Sequence, residues 1–511
     1  MDELKNIPHI ESISHRGPYA GAEPKRTATF QERAAQQNKI MPSLESAILA
    51  SGLKDGMTIS FHHHFRGGDH VVNQVVDTLA RMGYKNLTLA ASSLAAVHAP
   101  LIDHIKNGVI THIETSGLRG ELAEQISRGL MDCPIVFRSH GGRAAAIQSG
   151  ELHIDVAFLG APSCDPYGNA NGYSRDDDDS IACGSMGYAR TDAQYADHVI
   201  VLTNNLVRYP NAPWAIPEYD VDYIVVTEDI GDPKGIMSGA TRYTKNPKEL
   251  LIAHTAAQVI DAAGYLYDGF SMQMGSGGAS LAAARFLRQM MLDKGIHCRF
   301  ALGGITGQIA AMHEEGLIDR ILDVQSFDLD AALSLKKNRF HHQINATYYA
   351  SFLSAAAVDQ LDFVILSALE IDTSFNVNVL TGSDGVIRGA IGGHPDTAAG
   401  ASLSVVVAPL TRGRIPTIID RVNTIVTPGD VVDVVVTDQG VAVNPKRPEI
   451  AQRLRKAGIP VYTIEQLRDK ALALVGKPDP IRYTDRIVGV VMYRDNTIID
   501  TIHQIDETPI K

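Results

Sequence analysis

Cysteine is scarce. Cys133, Cys164, Cys183 and Cys298 are the only four in 511 residues. None stands in a C-x-x-C pair and no His follows at zinc-finger spacing, which argues against a disulfide framework and fits a reducing compartment. Long apolar runs are missing as well. No stretch approaches the ~20 residues that span a bilayer, and the opening MDELKNIPHIESISHRGPYAG lacks the apolar centre of a secretory signal. These absences predict a soluble, cytoplasmic chain without a membrane partner. Positive charge is in deficit too: the formal net charge is -12. That argues against a general nucleic-acid binder, which needs a basic face to displace counterions.

What is present is a globular composition, 45% apolar and 20% charged, on a chain too long for one ordinary domain. Residues 1–45 are polar, carry Pro8, Pro18 and Pro24, and read as an extended arm. Beyond them, short β-branched runs (57–62, 87–91, 133–139, 154–160) alternate with helix-like stretches (69–83, 120–131). The pattern recurs later: a run at 270–275, a helix at 279–295, and further runs at 361–367, 403–409 and 430–437. Such alternation predicts α/β architecture with mostly parallel sheets. A helix over 243–264 could join the halves, and the end of the chain around Asp495-Asn496 reads as a β-hairpin packed on the body.

The halves echo each other. IDVAFLGAPSCDPYGNANGY (154–173) parallels LDFVILSALEIDTSFNVNVLTG (361–382), each a buried run followed by an acid (Asp165, Asp372) and an Asn pair. A duplicated domain follows, 46–242 and 243–511, with the active site expected in the cleft between copies.

Glycine clusters after predicted strands mark where the backbone can approach a ligand: Gly67-Gly68, Gly141-Gly142, GSGG (275–278), GGITG (303–307) and GAIGGH (389–394). Their N–H groups can bind a phosphate or a developing oxyanion, although a tight strand-to-helix turn explains any single one equally well. None is a mononucleotide P-loop or a dinucleotide fingerprint. Arg138, His140 and Arg143 surround one glycine pair and suit a carboxylate or phosphate; an ordinary solvated helix start is the bland alternative. His62, His63 and His64 follow a strand, where only His62 and His64 would share a face. No metal-binding spacing accompanies them, so an anionic ligand is the better assignment and no metal is expected. The run SRDDDDS (174–180) reads as a solvated loop. Glu370, past a strand end, is either a catalytic carboxylate or a cap. Cys164 and Cys298 lack a His neighbour in any nucleophile signature.

From about residue 15 onward the chain resembles the α subunits of citrate lyase. The resemblance rests on SISHRGPYAG, ISFHHHFRGGDHVVNQV, IETSGLRGELAEQISRGL, FRSHGGRAAAIQSGEL, DVAFLGAPSCDPYGNANG, FALGGITGQIAAMHEEGL and GAIGGHPDTAAGA. More distantly, each half is similar to one half of the CoA-transferase superfamily, which implies two tandem CoA-transferase-like (NagB/RpiA-like) domains plus the hairpin. One departure matters. Where the common CoA-transferases carry an S-E-N-G-type segment whose Glu takes up CoA, this chain has RFALGGITG, with Gly303-Gly304 near that place.

The resemblance implies exchange of acetate for citrate on an acyl carrier through a mixed anhydride, the substrate's own carboxylate replacing the missing Glu. Backbone N–H groups at Gly303, Gly304, Gly392 and Gly393 are the expected oxyanion stabilisers, with Glu370 a further catalytic candidate. Arg66, Arg138, Arg143 and Arg388 are the expected carboxylate-binding cations, with His64 and His394 beside them. Implied partners are an acyl carrier protein subunit bearing a CoA-like prosthetic group, a citryl-thioester lyase subunit, and an oligomeric assembly. No cofactor on this chain is implied. Transfer to another acid such as citramalate, use of free CoA, thioester hydrolysis, and a non-catalytic ligand sensor remain open alternatives.

Overall fold

The computed structural model describes residues 7, 8 and 13, then 39–174, 182–237 and 244–506. The arm expected over 1–45, the acidic run 174–180 and the boundary at 242/243 lie largely outside the described residues.

The β-branched runs form two large sheets. In the first, strands lie in the order Ile40–Met41, Tyr223–Val226, His198–Thr203, Val156–Gly160, Thr58–Phe61, Leu87–Ala91, Ile110–Thr115, Ile135–Phe137, Tyr483–Met492, Ile498–Ile505. In the second the order is His341–Gln343, Ile321–Ser326, Cys298–Ile305, Phe270–Met274, Phe363–Ser367, Leu403–Val407, Val434–Thr437, Gly440–Val443, Val461–Tyr462. Within these two sheets pairing is parallel, except for Tyr483–Met492 with Ile498–Ile505 and Val434–Thr437 with Gly440–Val443.

Seven strands of each sheet correspond in order, which makes the duplication visible. The equivalence extends to single hydrogen bonds. Asp155 caps the Thr58 N–H (2.7 Å) as Asp362 caps Ser271 (2.8 Å). Asp222 accepts from the Val199 N–H and Asp433 from Ser404, both at 2.8 Å. Asp165 and Asp372 each fold the following loop by accepting backbone N–H groups and the amide of Asn169 or Asn376. Asx turns of this kind explain why an acid and an Asn recur at one spacing in both halves.

Each half buries its own apolar cluster around its sheet. The expected connecting helix exists as Pro247–Ala262, started by Pro247 at its first position and an Asn246 side chain accepting from Lys248 N. Its buried face, Ile252 to Ile260, belongs to the second core, so it is a layer of that half rather than a link. The hairpin is also where the sequence places it along the chain, but it extends the first sheet, pairing beside Ile135–Phe137. The hairpin, although it follows the second half in sequence, thus completes the sheet of the first half.

Candidate functional site

The carboxyl ends of strands from both sheets converge on a cavity of about 710 Å³. From the first half come His63, Ser93, Ser116, Arg119 and His140, which follow four different strands, Ser116 and Arg119 sharing Ile110–Thr115. The second half adds Gly275–Gly278, Gly304, Gln325, Phe327, Tyr349, Ser367 and the loop Arg388–His394. Ligand sites in α/β folds favour this end of a parallel sheet and the seam between domains.

The seam is stitched by hydrogen bonds that also shape the cavity. Gln325 Nε2 donates to His63 Nε2 at 2.7 Å across the halves, which leaves the imidazole proton on Nδ1, facing the Ser92 hydroxyl. The Gly389–Gly393 loop is sewn to the first half by Leu118 N to Gly389 O (3.0 Å), Ile391 N to Ser116 O (2.7 Å) and His140 N to Gly392 O (2.9 Å). Gly117 must be glycine here, because an added Cβ would run into Ala390. Asp396, fully buried in the helix His394–Gly400, accepts from Ser139 Oγ (2.8 Å) and Gly141 N (2.9 Å) and so holds the start of the helix His140–Ser149. Gly392 has φ +58, and neither its N–H nor that of Gly393 donates to another described residue. Both amides border the cavity, where they are available to an oxygen acceptor.

The predicted residues divide sharply. Gly304, Gly392, Gly393, Arg66, Arg388 and His394 line the cavity. Gly303 is one residue away, its place for a side chain taken by the Gln273 amide. Arg138 and Arg143 do not reach the cavity. Arg143 is buried and pairs bidentately with Asp192 at 2.6 and 2.9 Å. Arg138 is buried among Glu114 (2.7 Å), Glu151 and Asn496 (2.8 Å), clamping the hairpin to the first sheet. His64 is buried against the Ile230 carbonyl (2.8 Å) and Asp69 (3.0 Å). Burial works to raise the Asp69 carboxyl, and the His64 imidazole outweighs it, holding it down at about 2. Glu370 stands behind the wall, its carboxylate satisfied by Asn378 and Asn423 (both 2.8 Å), with burial raising its pKa. It behaves as a loop anchor.

Sequence reasoning passed over Arg119, Tyr188, Gln273, Gln325, Phe327 and Tyr349, and it ranked His63 below its neighbours. The alternation rule favoured His62 and His64, but the strand ends at Phe61 and the chain turns, which brings His63 to the cavity. His140, beside the Tyr188 ring at 4.4 Å, precedes the Gly141-Gly142 pair and lines the cavity, whereas the flanking Arg138 and Arg143 do not.

Electrostatically the first-half wall is cationic and the histidines are neutral. Burial, reinforced by the charge of Arg119, lowers Arg66 to about 10, still protonated at neutral pH. Burial lowers Arg119 too, and it forms no ion pair with a described residue. Burial holds His140 down at about 3, helped by Arg143 and Arg66, and His394 at about 4. His394 therefore donates from Nε2 to the Ser367 carbonyl (3.0 Å) and accepts from Thr427 (2.6 Å). Arg388 is half-exposed and pairs with Asp384. Arg412, at the second-half end, donates to the Leu369 carbonyl at 2.6 Å. Glu249 is the one carboxylate lining the cavity among the described residues.

Comparison with known proteins gives a consistent picture. Residues 37–505 match the family described as Citrate lyase, alpha subunit (CitF). The citrate lyase alpha chain of Haemophilus influenzae is 59% identical over 476 residues, 93% of this chain and 94% of that one. A crystal structure of the alpha subunit of citrate lyase from Streptococcus mutans, in complex with citrate, superposes with a TM-score of 0.92 at 55% identity, covering 96% of both chains. The alpha subunit of an Acinetobacter baumannii malonate decarboxylase shares the fold, with a TM-score of 0.63 at 16% identity over 87% of this chain and 94% of that one. No helix among the described residues is long and apolar enough to cross a membrane.

Proposed function

Since the chain belongs to the citrate lyase alpha-subunit family, we propose that it catalyses acyl exchange within a citrate lyase. The reaction converts an acetyl-carrier thioester and citrate into a citryl-carrier thioester and acetate. The carrying observation is the pair of guanidinium groups, Arg66 and Arg119, half-buried in one cavity wall, where the charge of Arg119 adds to burial in lowering Arg66. Two guanidinium groups in one cavity wall favour an anionic ligand, and a tricarboxylate supplies several negative charges at once.

A carboxylate oxygen of citrate attacks the acetyl thioester carbonyl, and the tetrahedral oxyanion collapses with departure of the carrier thiolate. That leaves a mixed acetyl–citryl anhydride. The thiolate then attacks the citryl carbonyl and acetate leaves with the bridging oxygen. The Gly392 and Gly393 amides are the proposed stabilisers of both oxyanions; loss of one such donor typically costs about 2.7–4 kcal/mol of barrier. A cavity of about 710 Å³ has room for citrate at the arginines and for a thioester arm along Gly275–Gly278 and Val407–Pro409, and enclosure keeps water from the anhydride. A covalent glutamyl thioester at Gly304 is sterically barred, because a Cβ there would enter the Phe327 ring. The carrier's CoA-like group is substrate for this chain, and the acyl carrier and citryl lyase subunits are its proposed partners.

The test uses the full chain with acetylated carrier. Citrate should be consumed and acetate released one for one, with citramalate reacting more slowly. In the absence of citrate, hydroxylamine and borohydride should trap no acyl-enzyme. A covalent adduct at Glu249, Glu370 or any other Glu overturns the ternary-complex route.

A further inference from the structure

We propose that Phe327 is a positioning residue that seats the Arg66 guanidinium for the substrate carboxylate, and that Gly304 is bare because the Phe327 ring occupies its side-chain space. The proposal rests on reading the cavity as a carboxylate site.

Three observations meet at this point. The strand Cys298–Ile305 slips register against Ile321–Ser326 between Gly303 and Gly304. Past the strands, Phe327 N donates to Ile305 O at 2.7 Å, which holds the aromatic residue over the bare glycine. The Arg66 Cζ lies 4.7 Å from the centre of that ring, a cation–π contact between the two halves. Arg66 is itself constrained. Its backbone adopts φ +53, uncommon for any residue but glycine, its N–H donates to His63 O (2.9 Å), and Nη1 donates to Ile236 O (3.0 Å). Backbone conformations of this kind persist where surrounding structure enforces them, commonly at functional sites.

The chemistry favours a ring for this task. An aromatic face attracts a guanidinium without occupying its in-plane N–H donors. A carboxylate side chain in the same place would neutralise the cation and compete with the substrate. Leucine would fill much of the space but carry no attraction for the charge. A methyl group on residue 304 would displace the ring and, through it, the arginine.

Citrate binding to the full chain is measured by calorimetry, together with steady-state transfer from acetyl-carrier, for Phe327→Leu, Phe327→Tyr, Gly304→Ala, Arg66→Gln and the Phe327→Leu/Arg66→Gln pair. Phe327→Leu and Gly304→Ala should each weaken citrate binding and raise its KM about tenfold, and in Phe327→Leu kcat and the acetyl-carrier KM should change little. Phe327→Tyr should stay near wild type. In the Arg66→Gln background, Phe327→Leu should add almost nothing. An unchanged citrate KM in both Phe327→Leu and Gly304→Ala overturns the proposal, as does full additivity in the double variant. If Phe327→Leu does not fold, Phe327→Met and Gly304→Ala carry the same comparison. A wild-type chain that binds no citrate overturns the functional reading along with this one, whereas citrate binding indifferent to Phe327 overturns this one alone.

Discussion

Arg143 and Arg66 carry the same guanidinium, and their neighbours give them different work. Arg143 meets Asp192 in a buried bidentate pair, which removes its charge from any ligand's view. Truncating one member of such a pair leaves the other charged and buried, a loss of roughly 3–5 kcal/mol. Arg143→Ala should therefore lower the urea midpoint sharply while the folded fraction keeps its citrate KM. Arg119→Gln should do the reverse, raising citrate KM several-fold with little change in the midpoint. The sequence shows arginines but not their partners: Asp192 is 49 positions from Arg143 and Glu114 is 24 from Arg138. Residue type thus proposed Arg138 and Arg143 as ligand cations, and only tertiary pairing reassigned them. Gly304, Gly392 and Arg66 do reach the cavity, and a glycine cluster or a cation beside one is a local signal.

At the scale of elements, the strands were readable from apolar β-branched runs and the paired acid-and-Asn loops, since both depend on near neighbours. Sheet membership was not, because it is decided by contacts far apart in sequence. The hairpin shows this. Tyr483–Met492 covers the edge of Ile135–Phe137, and Asn496 accepts from Arg138 at 2.8 Å. Ending the chain after residue 481 should expose a flat sheet edge and leave Arg138 short of a partner. The expected result is loss of the cooperative melting transition or aggregation, along with loss of transfer, since the helix carrying His140 follows the uncovered strand. A truncated chain that melts at the parent temperature would contradict this account.

Across the whole molecule, burial has neutralised a set of histidines. His62 and His140 are held at about 3 and His394 at about 4, and His63 and His98 are lowered by the same cause. Between those values and the ordinary ~6.5, the unfolded chain binds more protons than the folded one. Stability from these groups is complete above pH ~6.5 and is lost as pH falls. Asp396 has the opposite sign: burial pushes it up to about 6, so its contribution is present below ~3.8 and disappears as pH rises through 6. Five such histidines outweigh it. Calorimetry from pH 7.5 to 5 should show a falling Tm, with a steeper fall in Asp396→Asn; a Tm that rises over this range would refute the balance.

The hairpin's place in the first sheet also sets a timetable for synthesis. Arg138 and Asn496 are 358 positions apart, a delay on the order of 20–70 s at ribosomal speed. Throughout that interval the nascent first half has an open edge beside the strand that leads into its site, while the second half emerges and folds. The cavity wall around His140 is thus completed only after translation has passed both sheets, so a nascent chain stalled before residue 483 should be a chaperone client with no transfer activity.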